Sequence, residues 1–176
     1  MTVTADLSYP IGRHDPRAPI TAQMRSAAIE AIAICPVKMR EAVADLSNAQ
    51  LDTPYRPGGW NVRQLVHHVA DSHMNGYIRL KLALTEDNPT IKPYEQDRWA
   101  ALPDSRLPIA PSLALLDAVH ERWTTLWRSL RPDDFTRPFT HPEIGPLTID
   151  QHLQLYGWHS RHHVAHVTRL RERENW

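Results

Sequence analysis

The stretch TIDQHLQLYGWHSRHHVAHVTRLRE, residues 148–172, decides the fold. Thr148 followed by Gln151 is a capping box, so a helix opens here and runs to about Glu172. Ile149, Tyr156, Val167 and Leu170 recur at helical spacing and define one apolar side. Five of the 11 histidines lie between His152 and His166. A helical residue turns by about 100°, which places His152, His159, His163 and His166 within about 60° of one another. They share the apolar side, so most of these imidazoles point toward a packed interior.

The rest of the chain supplies that interior. A helix is expected over 61–85, opened by Asn61 with Gln64 at the box position. Val62, Leu65, Val66, Val69 and Leu80 form its apolar face, and His73 sits inside it. A helical region after Thr21 carries Met24, Ala27, Ala28, Ala31 and Ile34 as its stripe. Pro36 either kinks it or divides it into helices over 22–34 and 36–46. Another helix is expected over Ser112–Leu130. Residues 1–20 read as a Pro-rich arm lying on the domain, and 47–59 as a connector. The long segment 86–111 holds five prolines, with room for a short helix around Glu95–Leu102. A loop of that length in a small domain is usually functional or wraps the surface. A short strand or hairpin fits around Phe139–Leu147. Four long amphipathic helices argue for one all-α domain over 1–176, a four-helix bundle with long inter-helix loops.

Composition narrows the function. The chain has 176 residues, 41% apolar and 23% charged, with 20 basic and 20 acidic side chains. No basic excess exists to attract nucleic acid or an anionic membrane. No stretch of 18 apolar residues occurs, so no membrane span is expected. Cys35 is the single cysteine, which excludes an intrachain disulfide and fits a cytoplasmic location. The segment MTVTADLSYPIGRHDPR lacks the basic start and apolar run of a secretory signal. GxSxG, GxxxxGK[ST], GxGxxG and HExxH are absent.

The chemistry therefore rests on histidine. His159 and His163 are written HxxxH, a spacing that stacks two imidazoles on adjacent turns of one face, where they can chelate a divalent metal. His162 and His166 repeat the spacing, but His162 drifts toward the flank of the apolar face. The first pair is preferred. A single buried histidine is more often hydrogen-bonded core than ligand; several neutral imidazoles buried without a shared partner carry a polar cost with nothing to offset it. His67, His68 and His73 on the 61–85 helix each offer a third ligand, and spacing does not choose among them. Three histidines and an open position suit a working zinc site, whereas a structural site closes with four protein ligands.

The segments GGWNVRQLVHHVADSHMN at 58–75 and WHSRHHVAH at 158–166 resemble the DinB/YfiT-like superfamily, closest to the YfiT family of metal-dependent hydrolases. LSYPIG at 7–12, QLDTPYRPGGW at 50–60, YIRLKLALTED at 77–87, SLALLDAVHERW at 112–123 and LQLYGWHS at 153–160 extend the likeness across almost the whole chain. The resemblance implies a metal between helices of a bundle, held by the second histidine of the HH pair and both histidines of HxxxH. In this chain those are His68, His159 and His163. It also implies zinc or nickel, one ion per chain, a homodimer and a small-molecule substrate. Asp71, Ser72, His73, His120 and His162 are candidates to support the ligands or move protons. Hydrolysis is the leading reaction. A metal-dependent transferase using a low-molecular-weight thiol, such as a bacillithiol-like one, is the alternative, and Arg63, Arg79 and Arg161 are available to its pocket. A non-catalytic, metal-stabilised interaction or stress protein is the third reading.

Overall fold

The computed structural model describes residues 6–176, so residues 1–5 of the expected arm lie outside the described residues. Four long helices form the bundle: α1 (Ala22–Val43), α3 (Val62–Thr85), α5 (Ala110–Ser129) and α6 (Ile149–Glu174). Two short ones, α2 (Asn48–Leu51) and α4 (Gln96–Ala100), lie in the connecting segments. The main packing partners of α1 are α5 and α6, and those of α3 are the same two helices. The helices therefore close a ring in the order α1, α5, α3, α6. A hairpin of β1 (Pro138–His141) and β2 (Gly145–Thr148) pairs antiparallel, Phe139 opposite Leu147, and leads directly into α6.

The ends of these elements follow their capping residues. Asn61 with Gln64, and Thr148 with Gln151, form reciprocal capping boxes at the starts of α3 and α6. Ser47 and Gln50 do the same for α2, a helical turn inside a segment expected to be a plain connector. α5 begins at Ala110, slightly before the expected start, because Pro111 fits a first helical turn that needs no donor there.

α1 runs as one helix through Pro36, so of the two expected outcomes the division at Pro36 does not occur. Its apolar face departs from expectation. Its buried face is Ala28, Ile32, Cys35, Met39 and Val43, whereas Met24 and Ile34 are exposed. The alanine-rich stretch 27–33 fits several stripes equally well, and tertiary packing chose the one carrying Ile32 and Met39. Ala28 also permits the close approach of α1 to α6. A Cβ added at Gly157 would lie 2.7 Å from the Ala28 Cβ and 2.9 Å from its Cα. The same two helices are tied at their starts by Arg25, which donates to both carboxylate oxygens of Asp150 at 2.7–3.1 Å.

Two apolar clusters fill the bundle. One gathers Met39, Leu65, Val69, Leu116, Val167 and Leu170. The other gathers Ile32, Leu80, Trp123, Trp127, Phe139 and Leu153. The chain passes from one cluster to the other through His73 along α3, through His120 along α5, and through His159 and His163 along α6. The histidines form a polar layer between two apolar halves. Within the described residues, no helix is long and apolar enough to cross a membrane.

Candidate metal centre

The second turn of α3 brings His68 to face α6, where the four-residue step carries His159 and His163. One ligand atom from each of the three lies within 4.8 Å of the others. His163 Nε2 is 3.1 Å from His159 Nε2. Two nitrogens bound to one tetrahedral zinc at about 2.0–2.1 Å lie about 3.3–3.4 Å apart, so this spacing suits a shared cation. The donor set fits as well. A ligating imidazole must be neutral, and burial holds His68 down at about 4 and His159 and His163 well below the ordinary histidine value.

Two other clusters compete. Cys35, His73 and His120 also come within 4.8 Å. A metal there needs a thiolate, yet burial pushes the Cys35 thiol up to about 12, and both imidazoles already bond to other groups. His162, His163 and His166 form the third cluster, all on α6, with His162 Nε2 3.0 Å from His166 Nε2. His162 stacks on Trp158 at 4.2 Å, and His166 lies 4.2 Å from the Tyr55 ring. This set shares His163 with the first, so the two sets are exclusive uses of one imidazole.

A cleft of about 450 Å3 opens over these histidines, bordered also by Tyr9, Arg56, Trp60 and Asp97. A second cleft, about 510 Å3, is bordered by Ser72, Arg79, Tyr94, His141 and Tyr156. Both clefts reach Gln96, Asp97 and His159. The segment 6–20 closes one side of the first: Trp158 Nε1 donates to Gly12 O at 3.0 Å, and the Tyr9 ring faces His162.

The remaining candidates separate clearly. His67 bonds Ser112 Oγ and Leu107 O, a purely structural role. His73 and His120 lie behind the site. His73 Nε2 is 3.0 Å from His159 Nδ1, its Nδ1 is 2.7 Å from His120 Nε2, and His120 Nδ1 is 2.6 Å from the Ile32 carbonyl. His152 bonds Gly76 O as core. Ser72 is buried at the second cleft, and its carbonyl accepts the Tyr156 hydroxyl. His162 borders the first cleft. Asp71 borders neither; it is half-buried, and burial together with Asp104 raises its carboxyl to about 6. Among the expected pocket arginines, Arg63 is paired with Asp52 at 2.8 Å and Arg161 borders a different depression, which leaves Arg79. Asp97 and Arg56 were not anticipated. Asp97 sits on α4 in the Pro-rich segment whose length alone signalled a functional loop.

Residues 31–167 match the DinB superfamily. The chain belongs to that superfamily. Proteins of Bacillus cereus and Bacillus thuringiensis named "Putative metal-dependent hydrolase" are 54% identical over 171 residues, covering 97% of this chain and 99% of theirs. The structure of YfiT from Bacillus subtilis, described as a probable metal-dependent hydrolase with an unusual four-helix bundle topology, superposes with a TM-score of 0.92 at 49% identity. That match covers 97% of this chain and 98% of YfiT. This DinB-superfamily chain thus shares its bundle with relatives named for metal dependence, and its histidine clusters have the donors that name requires.

Proposed function

We propose that this protein is a metal-dependent hydrolase of a small molecule, with His68, His159 and His163 holding one zinc or nickel ion per chain. The observation that carries the reading is three imidazoles from two helices converging where they line a cleft. When bound, such a cation polarises a carbonyl and acidifies water toward neutral pH. The chain's own groups supply the rest. Asp97, the carboxylate shared by both clefts, accepts a proton from water. His162 Nδ1, buried without a partner among the described residues, is a further polar atom beside that path. Trp60, packed 4.5 Å from the His68 ring, shields the ligand from bulk water.

Arg56 and Arg79 at the clefts favour a second reading, transfer of a low-molecular-weight thiol to an electrophile. A non-catalytic, metal-stabilised protein is the weaker reading, since three protein ligands leave a position open. A homodimer in the cytoplasm belongs to the proposal; exposed Ile34 and Val37 on α1 are apolar surface that a second copy would cover. The test is a panel of esters, amides and lactams offered to the zinc- and nickel-loaded protein, beside a thiol-conjugation assay. Metal-dependent cleavage without thiol supports hydrolysis. Turnover only with thiol overturns it in favour of transfer, and no turnover in either arm favours the non-catalytic reading.

A further inference from the structure

Pro36 lies inside α1 in a buried position, and neither the fold nor the hydrolase reading uses it. In a continuous helix the amide of residue 36 would donate to the carbonyl of Ile32. Proline has no amide hydrogen, and its ring pushes the carbonyl four residues back away from the helix axis. The Ile32 carbonyl is therefore left for another donor, and His120 Nδ1 takes it at 2.6 Å.

A carbonyl oxygen only accepts, so His120 carries its proton on Nδ1. Neutral imidazole has one N–H, which leaves His120 Nε2 bare and able only to accept. His73 Nδ1, 2.7 Å away, must then donate, which leaves His73 Nε2 bare. His159 Nδ1, 3.0 Å from that atom, must donate in turn. Each link has one permitted orientation, and the last leaves His159 Nε2 without a proton, its lone pair facing His163 and the cleft. His73 and His120 are buried with no carboxylate bonded to either among the described residues, so the uncharged ring is the form that fits, and each nitrogen–nitrogen contact needs one bare nitrogen. Without metal, the 3.1 Å contact to His163 then has His163 Nε2 donating. His163 Nδ1 is left bare, in accord with its lack of a partner among the described residues.

We propose that Pro36, His120 and His73 are positioning residues that lock the tautomer of His159 so that its Nε2 is always presented bare to a cation. The free imidazole side chain prefers its proton on Nε2, which would cap the ligand atom; the chain of bonds reverses that preference. Only the final link rests on the metal-centre reading. The tautomers themselves do not, so the two can fail separately.

Nitrogen-15 NMR of the metal-free protein at pH 7.5 reads each tautomer from its long-range couplings. His120, His73 and His159 are all expected to carry the proton on Nδ1. Nε2–H at any of the three overturns the proposal, whether or not metal binds. Zinc affinity by chelator competition then tests the consequence. In His120→Leu, His73 Nδ1 loses its acceptor inside the core and the pattern reverses, so affinity is expected to fall about 10–100-fold, as for loss of a group that orients a ligand. His120→Gln keeps an N–H for Ile32 O and an oxygen for His73, and should restore most of the affinity. Equal losses in the two variants mean that only packing matters. Pro36→Ala returns a donor to the Ile32 carbonyl; it is expected to weaken zinc binding while the metal-free protein melts no lower than wild type. Unchanged zinc affinity in Pro36→Ala removes that residue from the chain.

Discussion

Lowering the pH from 7.5 to 5 should destabilise the metal-free protein through its buried histidines. His120 and His152 are each 2% exposed. Burial holds both at about 4, against 6.5 for an ordinary histidine, with their bonds to the Ile32 and Gly76 carbonyls opposing the shift only in part. A depressed value in the fold means that the unfolded chain takes up the protons. Stability is therefore complete above about pH 6.5 and is lost as pH falls toward about 4. At pH 5 each of these histidines is almost fully charged when unfolded and neutral when folded, which removes about 2 kcal/mol apiece relative to pH 7.5. The pair removes about 4 kcal/mol, a large share of the 5–15 kcal/mol typical of a domain. His73 shifts the same way and adds to the loss. Urea unfolding followed by tryptophan fluorescence, on chelator-treated protein between pH 7.5 and 5, measures the slope. His152→Gln should abolish about 2 kcal/mol of the pH dependence, whatever its effect at pH 7.5. A stability constant within about 1 kcal/mol across that range would refute the claim that these imidazoles are buried and neutral.

Purified protein should carry about one transition-metal ion per chain, and elemental analysis should show that His68→Ala and His159→Ala lose it while His166→Ala retains it. His163 belongs to both α6 clusters and does not discriminate between them. Zinc affinity should fall between about pH 7 and pH 5 as up to three protons compete for the ligands, measured by titration in a non-coordinating buffer; a flat profile excludes imidazole ligation. Asp97→Asn should lower turnover by about 100-fold or more while metal content stays unchanged, the signature of a lost proton acceptor. Gly157→Ala should destabilise by about 1–3 kcal/mol in thermal or urea unfolding, because the new methyl meets the Ala28 Cα as well as its side chain.

The parts of this architecture that sequence reveals are those written in local code. Capping boxes at Asn61 and Thr148 located two of the four bundle helices, and the helical period put His159 and His163 on one inward face. The face of α1 was not legible, since a run of small residues satisfies more than one stripe and only contact with α5 and α6 selects among them. Nor could spacing choose His68 over His67 and His73. Which of them lies beside both His159 and His163 depends on the rotation of α3 against α6, and the likeness to a known family was the ground for naming His68. Asp97 stayed hidden for the opposite reason: it lies in an irregular segment, where a side chain's direction is set by the path of the loop and by no periodicity. The Ile32–His120–His73–His159 series spans four helices, and no one-dimensional pattern joins its members.

The proposed placement of ligands on α3 and α6 has a consequence for biosynthesis. His68 emerges from the ribosome well before its proposed partners His159 and His163, which lie on the last of the four bundle helices described. α6 is also the helix that packs against both α1 and α3 and so closes the ring. Completion of this core and assembly of the proposed pocket therefore both wait for α6. A nascent chain halted before Gly157 would possess neither, and a cation would find the three-histidine pocket only once α6 has packed against α3.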